Sequence, residues 1–538
     1  MYEVDWRSDR LAGTVSEGSD RDEGVLPGEI TKAEATAELR RRRALALAMG
    51  GPERLERLRA QGKLNARERV AALVDGESFI EFGRLAISDR LEIGERAPAD
   101  ASITGVGTVE GRKVAVIAND ATVLAGSTGR VGSRKQGQLM SLAARKGYPL
   151  VMLGDANGGR LPDLLGSDFA SAAGGDEGEH FLGVGRAPVR FPRVTVILGH
   201  AYGDPAFWAG SSDLVVLAKG ASVALSGPGL VGASTGAAAT HEELGGEVIS
   251  ARTSGLVNRV EPDEPSAIAA ARRFLAYLPS RAGLEPPRTA AAEPSAPSSQ
   301  LAATVPDRGR RGYDMHKVLD SVLDAGSYFE LHREYGRSVL VGLARVGGTP
   351  VGVVANQPKF RGGVIDAAAA DKVERLVDLC SGFGLPLIFL QDMPGVMIGL
   401  EAERAGIARK LIALYTKVAQ SPVPKVTVVI RKAFGFGYMT LGGPNLGTDY
   451  VVAWPNAEIG FMSADNALQV LHHRRLTAER AAHGTEAADA LAAQLEREVH
   501  ASFPPWKAAE QSLIHDVIAP EETRQALLAG LFLGTGYR

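Results

Sequence analysis

The sequence predicts a layered α/β fold built twice in tandem, and three observations predict it. A turn and apolar strand spanning Val109-Glu110-Gly111-Arg112-Lys113-Val114-Ala115-Val116-Ile117-Ala118-Asn119 return as Val346-Gly347-Gly348-Thr349-Pro350-Val351-Gly352-Val353-Val354-Ala355-Asn356, 237 positions on (109 to 346). Gly147-Tyr148-Pro149-Leu150-Val151-Met152-Leu153-Gly154-Asp155 returns in the same register, 237 positions on (149 to 386), as Gly384-Leu385-Pro386-Leu387-Ile388-Phe389-Leu390-Gln391-Asp392. Within each copy, short apolar runs alternate with stripes at helical spacing, the pattern of parallel strands joined by helices. Any site shared by two diverged copies lies where related surfaces meet, which is where pockets concentrate.

In chain order, residues 1–30 are polar and rich in Gly and Asp and predict a flexible tail. From Thr31 to about Arg59, Ala, Leu, Glu and Arg predict one helix. Its run Arg40-Arg41-Arg42-Arg43 follows Glu34 and Glu38 by about a turn, which makes it a solvated or subunit-facing surface rather than a polyanion site. Leu73-Val74-Asp75-Gly76-Glu77-Ser78-Phe79 is echoed by Val322-Leu323-Asp324-Ala325-Gly326-Ser327-Tyr328-Phe329. Val114 to Ala118 and Val151 to Leu153 read as buried strands, with Leu139, Leu142 and Ala143 at helical spacing between them. In the second copy Val373, Leu376, Val377 and Cys380 form one helical stripe, so Cys380 is a packing residue. Val194 to Leu198 and Val426 to Ile430 supply a third strand to each copy. The stretch 286–312 is rich in Pro, Ala and Ser and reads as a partly extended linker. It separates an N-terminal domain, 31–285, from a C-terminal one, 313–538.

Composition narrows the function. A formal charge of −3 gives no global attraction to nucleic acid or acidic membranes. No apolar run approaches the ~20 residues of a membrane span. A single cysteine excludes an intrachain disulfide and a cysteine metal cluster, and fits a cytoplasmic protein. The histidines lack paired zinc-ligand spacing, so no metal is expected. No phosphate-binding G-x-x-x-x-G-K-[ST] occurs, so ATP chemistry is not built in. Gly232-Ala233-Ser234-Thr235-Gly236 spells a serine-hydrolase elbow, but Gly227-Pro228-Gly229 precedes it where the mechanism needs a strand.

The informative signals are glycine clusters after strands: Asp155-Ala156-Asn157-Gly158-Gly159-Arg160, Gly199-His200-Ala201-Tyr202-Gly203-Asp204-Pro205, and Arg431-Lys432-Ala433-Phe434-Gly435-Phe436-Gly437-Tyr438. Glycine there lets backbone N–H groups approach a ligand oxygen. A helix starting next adds free N–H groups and a dipole that favour negative charge. Stabilising a thioester enolate requires this arrangement. Each turn alone is ordinary, but the second and third occupy matching places in the two copies.

These residues carry a resemblance over about Gly62 to the C-terminus. Gly62-Lys63-Leu64-Asn65-Ala66-Arg67-Glu68-Arg69, Asp155 to Arg160, Ala355-Asn356-Gln357-Pro358, Gln391-Asp392-Met393-Pro394-Gly395, and Ala453-Trp454-Pro455 followed by Met462-Ser463-Ala464-Asp465-Asn466-Ala467 occur in the order found in one family. The chain resembles the carboxyltransferase (β) subunit of biotin-dependent acyl-CoA carboxylases, the propionyl-, acetyl- and methylcrotonyl-CoA carboxylase group. The resemblance implies a tandem pair of crotonase-like (ClpP/crotonase) domains, the N-terminal one on the acyl-CoA side and the C-terminal one on the biotin side. It implies a cytoplasmic homohexamer, a trimer of dimers, whose active sites lie between chains. Carboxyl transfer from carboxybiotin to the acyl-CoA α-carbon would pass through an enolate held in two backbone oxyanion holes. Biotin would arrive on a separate biotin carboxylase/biotin carboxyl carrier subunit, since this chain has no A-M-K-M sequence. The implied catalytic positions are Gly203, Asp204, Phe436 and Gly437. The implied substrate-binding positions are Gly126, Ser127, Gly158, Gly159, Arg160 and Met439, with no metal.

Three departures stand out. Gly203-Asp204-Pro205 replaces Gly-Gly-Ala at the first hole, and Pro205 has no N–H. A functional hole there requires the Asp204 carboxylate to point outward. The second reads Gly435-Phe436-Gly437-Tyr438-Met439, with a Phe434-Gly435-x-Gly437 pattern closer to the methylcrotonyl branch. Met439 replaces an Asp that in the family helps select the acyl chain, implying a longer or more apolar acyl group. The alternatives are decarboxylation of a malonyl-type acyl-CoA, which uses the same hole, and a non-catalytic assembly or regulatory homologue.

Overall fold

The computed structural model describes residues 30–167, 189–307 and 311–535. The expected N-terminal tail lies almost wholly outside them. Two eight-stranded sheets carry the fold. The first contains β1 (Ile80–Phe82), β2 (Ser102–Val109), β3 (Arg112–Asn119), β4 (Leu150–Asn157), β5 (Arg193–Tyr202), β6 (Leu214–Ala218), β7 (Ser222–Ala224) and β8 (Arg259–Glu261). The second contains β9 (Phe329–Leu331), β10 (Val339–Val346), β11 (Thr349–Asn356), β12 (Leu387–Met393), β13 (Lys425–Phe434), β14 (Tyr450–Ala453), β15 (Glu458–Gly460) and β16 (Asp516–Val517). Spatial order is β1-β2-β3-β4-β5-β6-β8, with β7 on β5, and β9-β10-β11-β12-β13-β14-β16, with β15 on β13. In each sheet an antiparallel hairpin, β2–β3 or β10–β11, leads into parallel pairing.

The main helices are α1 (Lys32–Ala48), α2 (Pro52–Ala60), α3 (Ala66–Leu73), α4 (Arg130–Lys146), α5 (Asp204–Ser211), α6 (Glu264–Leu275), α7 (Ala367–Phe383), α8 (Ile407–Gln420), α9 (Gly435–Thr440), α10 (Ala464–His500) and α11 (Thr523–Gly534). No described helix is long and apolar enough to cross a membrane. The sequence reading places one helix from Thr31 to Arg59; the chain instead breaks between α1 and α2. Met49 and Gly51 adopt positive φ and Pro52 starts the next helix. Gly50 lies so close to Thr122 that an added Cβ would sit 2.0 Å from its carbonyl oxygen. Arg41 and Arg42 pair with Glu38, and Arg41 also with Glu95, on an exposed face.

The 237-residue register extends to fine detail. Helices α4 and α7 both have 17 residues and end on left-handed Gly147 and Gly384. The stripe Val373, Leu376, Val377 and Cys380 is buried as expected, and burial pushes the Cys380 thiol well up. Lys135 on α4 and Lys372 on α7 (135 to 372) are also buried. Lys135 donates to the carbonyls of Ala99 and Ser102, and Lys372 to those of His332 and Tyr335. The halves pack together: Phe274 of α6 lies against Phe329, and Arg345 donates to the carbonyl of Ala276. Between them, Thr289 and Ala296 donate to Gly348 and Asp320, while Leu301 and Val305 are buried.

Candidate active site

The glycine clusters lie at the carboxyl ends of the parallel strands, where open α/β sheets hold ligands. In the N-terminal sheet, Thr128 donates to the carbonyl of Gly158 and accepts from the N–H of Arg160, at 3.0 and 2.8 Å. This joins the Gly126-Ser127 turn to Gly158-Gly159-Arg160. Gly203 lies against them: an added Cβ would stand 3.2 Å from Gly158 Cα. Gly126, Ser127, Gly158, Gly159, Arg160, Gly203 and Asp204 are therefore one neighbourhood. The Arg160 side chain is held by the protein itself. Its guanidinium is buried, pairs with Asp100 at 2.7 Å and Asp163 at 3.1 Å, and donates to the Ser127 carbonyl. Two carboxylates draw the head inward, so it braces the loop.

The C-terminal sheet repeats the arrangement. Ile365 donates to Gly395 and accepts from Met397, at 3.2 and 2.9 Å, in the register of Thr128. Gly437 lies against Gly395 and Met393. Phe436 stacks on Tyr415 of α8 with centroids 5.4 Å apart, leaving its backbone at the turn. Met439, 38% exposed, projects from α9. Phe436, Gly437 and Met439 thus share one short helix in the other sheet from Gly203 and Asp204.

Helices start where expected, α5 at Asp204 and α9 at Gly435. The ladders Val151↔Val194 and Ile388↔Val426 align β5 with β13 at 232 positions (194 to 426), which superimposes Gly203 on Gly435. Their φ values are +67° and +61°. The donors differ. Gly203 gives its N–H to the Leu225 carbonyl, and Pro205 has none. That leaves Asp204 N–H as the donor at the first turn, whereas Phe436 and Gly437 both carry N–H groups at the start of α9, where no intrahelical acceptor exists. Asp204 is half-buried. Its carboxylate makes no hydrogen bond or ion pair among the described residues, and burial pushes it up from the ordinary carboxylate value.

Two buried ion pairs beneath the turns escape motif reading. Asp155 meets Arg69 at 3.0 Å, and Arg69 is also held by Glu264. Asp392 meets Arg431 at 3.0 Å. The repeat register, which matches Asp155 with Asp392 (155 to 392), is the signal that could have found them. Ser234 lies exposed in the last turn of the helix Pro228–Thr235, not on the strand-to-helix turn a nucleophile elbow requires. Among the described residues no three His, Cys, Asp or Glu side chains gather into a metal-holding cluster.

With this geometry in place, comparison decides the family. The carboxyl transferase domain family matches residues 57–533. The chain belongs to that family, the carboxyltransferase subunits of acyl-CoA carboxylases. It is 34% identical over 529 residues to a biotin-dependent acetyl-/propionyl-coenzyme A carboxylase beta5 subunit of Mycobacterium tuberculosis, covering 94% of this chain and 92% of that one. It is 32% identical to the methylmalonyl-CoA decarboxylase subunit alpha of Veillonella parvula, over 90% of this chain and 92% of that one. The transcarboxylase 12S structure, a hexamer described with methylmalonyl-coenzyme A bound, superimposes with a TM-score of 0.85 at 32% identity, covering 95% and 97% of the two chains. The duplicated α/β fold of this carboxyltransferase is thus that of its relatives.

Proposed function

We propose that this carboxyltransferase moves CO₂ from carboxybiotin to the α-carbon of an acyl-CoA, as one subunit of a biotin-dependent carboxylase. The carrying observation is the pair of glycine turns at matching strand ends of two repeated sheets. In the N-terminal turn, the Asp204 N–H, at the place where Gly203 packs against Gly158, receives the thioester oxygen as it gains enolate charge. In the C-terminal turn, the first residues of α9 (Phe436, Gly437, Tyr438 and Met439) carry no charged side chain, and two N–H groups suit the neutral carbonyl of a ureido ring. Carboxybiotin, delivered by a separate biotin carboxylase/biotin carboxyl carrier partner, supplies the CO₂ and the base that takes the α-proton. The chain's part is to orient the thioester, stabilise the enolate and exclude water. No protein acid–base dyad is required.

Two half-sites on separate sheets fit assembly into a homohexamer with sites between chains, as the hexameric transcarboxylase relative suggests. A cytoplasmic setting fits the single buried thiol. The half-buried, unpaired Asp204 beside Pro205 marks an altered first hole, and exposed Met439 favours a longer or more apolar acyl group. Decarboxylation of a malonyl-type acyl-CoA is the second reading, favoured by the decarboxylase relative.

Reconstitution tests these readings. Alone, with ATP, bicarbonate and an acyl-CoA series, the chain should fix no carboxyl group. Adding the biotinylated subunit from the same cell should restore fixation. Carboxylation by the isolated chain would overturn the proposal, and release of CO₂ from a malonyl-type thioester without fixation would select decarboxylation.

A further inference from the structure

Each sheet carries the same irregularity just before its turn. Between β4 and β5 the pairing passes from Gly154↔Ile197 to Ala156↔Ala201, so two extra residues of β5 lie opposite Asp155. Between β12 and β13 it passes from Gln391↔Val429 to Met393↔Ala433, and two extra residues lie opposite Asp392. Bulges bend a strand and re-aim the residues beyond them, and they occur beside active sites. Here they set which residue reaches the helix start. A one-residue slip would force Asp204 or Phe436 into the positive-φ position held by Gly203 or Gly435, and would turn over every side chain after it.

A carboxylate pins each bulge, and each carboxylate residue is tied through its N–H to the asparagine ending the neighbouring strand. Asp155 donates to Asn119 Oδ1 at 3.4 Å and Asp392 to Asn356 Oδ1 at 3.2 Å. The cations come from different places. Arg431 stands within the β13 bulge and reaches Asp392 from there. Its counterpart in β5 is Gly199 (199 to 431, the 232-residue offset), and an added Cβ there would lie 2.0 Å from Asp155 Oδ1. The Asp155 carboxylate fills that space, and its cation, Arg69, comes from α3, gripped through Nε and Nη2 by Glu264 of α6 at 2.9 and 2.6 Å. One carboxylate–guanidinium pair thus occurs at the same place in both halves, although its cation is supplied by different elements.

We propose that Asp155 and Asp392 are positioning residues, each holding with Arg69 or Arg431 the bulge that delivers a glycine turn to its substrate. Neither touches the reacting atoms. The inference rests on reading those turns as oxyanion sites.

The test uses the full chain, with the biotinylated partner for kinetics and without it for backbone hydrogen exchange. Asp155→Asn should speed exchange about tenfold or more across 197–202 and leave 429–434 unchanged, with Asp392→Asn doing the reverse. Asp155→Asn should lower kcat about a hundredfold, the cost of displacing an aligned group by roughly 1 Å, with acyl-CoA KM held within about twofold. Arg69→Met should behave like Asp155→Asn in both readouts. Arg69→Lys retains a charge and replaces any variant that does not fold. Exchange that rises evenly across the sheet, or KM and kcat falling together with thermal stability, would show a merely structural pair and overturn the proposal. A wild-type chain inactive with its partner, yet showing the localised exchange, would sink the proposed function and leave the positioning role standing.

Discussion

At Gly203 and Gly435 the chain makes the same turn twice, with φ of +67° and +61° at the junction of a bulged strand and a helix. What the two turns can donate differs. The C-terminal turn offers Phe436 and Gly437 N–H groups, and no charged side chain follows on α9. The N-terminal turn offers Asp204 N–H, with a carboxyl on the same half-buried residue and a proline next. The constraint that survives in both copies is the backbone path, because only glycine adopts that φ cheaply. The residues after it are free to change once the path is held. Similar folds can therefore carry holes of different strength.

Exchanging the differences should break the comparison most forcefully. Gly437→Pro gives the C-terminal turn the proline of the N-terminal one. Loss of one preorganised donor costs about 10²–10³ in rate, so carboxylation with the biotinylated partner should fall by that factor. A rate within about threefold of wild type would mean that Phe436 N–H suffices. The reciprocal variant, Asp204→Gly with Pro205→Ala, restores a donor and removes a carboxyl from beside the developing enolate. Its expected effect is a gain of about 10–100-fold in acyl-CoA α-proton exchange or carboxylation. Equal rates would show that one donor is enough in the N-terminal turn.

Met439→Asp asks whether the halves also divide selectivity. A charged rim disfavours longer apolar acyl groups, and one or two methylenes are worth roughly 1–3 kcal/mol, so relative kcat/KM should move toward acetyl or propionyl by about tenfold. An unchanged ranking across a chain-length series would remove Met439 from the acyl pocket.

Much of this is open to sequence reading because the duplication repeats spacing as well as composition. Strand, helix stripe and glycine turn recur in one register, and glycine after an apolar strand marks the helix starts at Asp204 and Gly435. The bulges are another matter: β5 and β13 read as continuous strands, and two extra residues in one strand alter no local pattern. Arg69 reads as part of a helix-opening motif, since its partners Asp155 and Glu264 are distant in sequence. The setting of Arg160 is hidden for the same reason. Its motif position suggests substrate, while Asp100, contributed by a separate segment, draws the guanidinium inward. The break between α1 and α2 follows from Gly50-Gly51-Pro52 only once Thr122 is seen to occupy the space beside Gly50.

The smallest effect concerns two lysines that the duplication buried at equivalent positions. Burial pushes Lys135 down to about 8 and Lys372 to about 7, from an ordinary value of 10.5. Lys135 has three carbonyl acceptors, from Gly83, Ala99 and Ser102, and Lys372 has two, which accords with the charged form being better supported at Lys135. Proton counting fixes the sign. Below about pH 7, Lys372 is charged in both folded and unfolded chains and the whole cost of burying the charge is present. Between that value and 10.5 the unfolded chain holds the proton that the folded chain has released, so stability rises with pH. Lys372→Met removes this titration. The Tm of the wild-type chain minus that of Lys372→Met should therefore increase from about pH 6 to about pH 9, by on the order of a few degrees. The same difference for Lys135→Met should begin to rise about one pH unit later, in line with its higher value. Parallel, pH-independent differences would show that both lysines remain charged throughout, held by their carbonyls. A rise for only one would show that the two halves, alike in backbone, have diverged in their cores as they have in their turns.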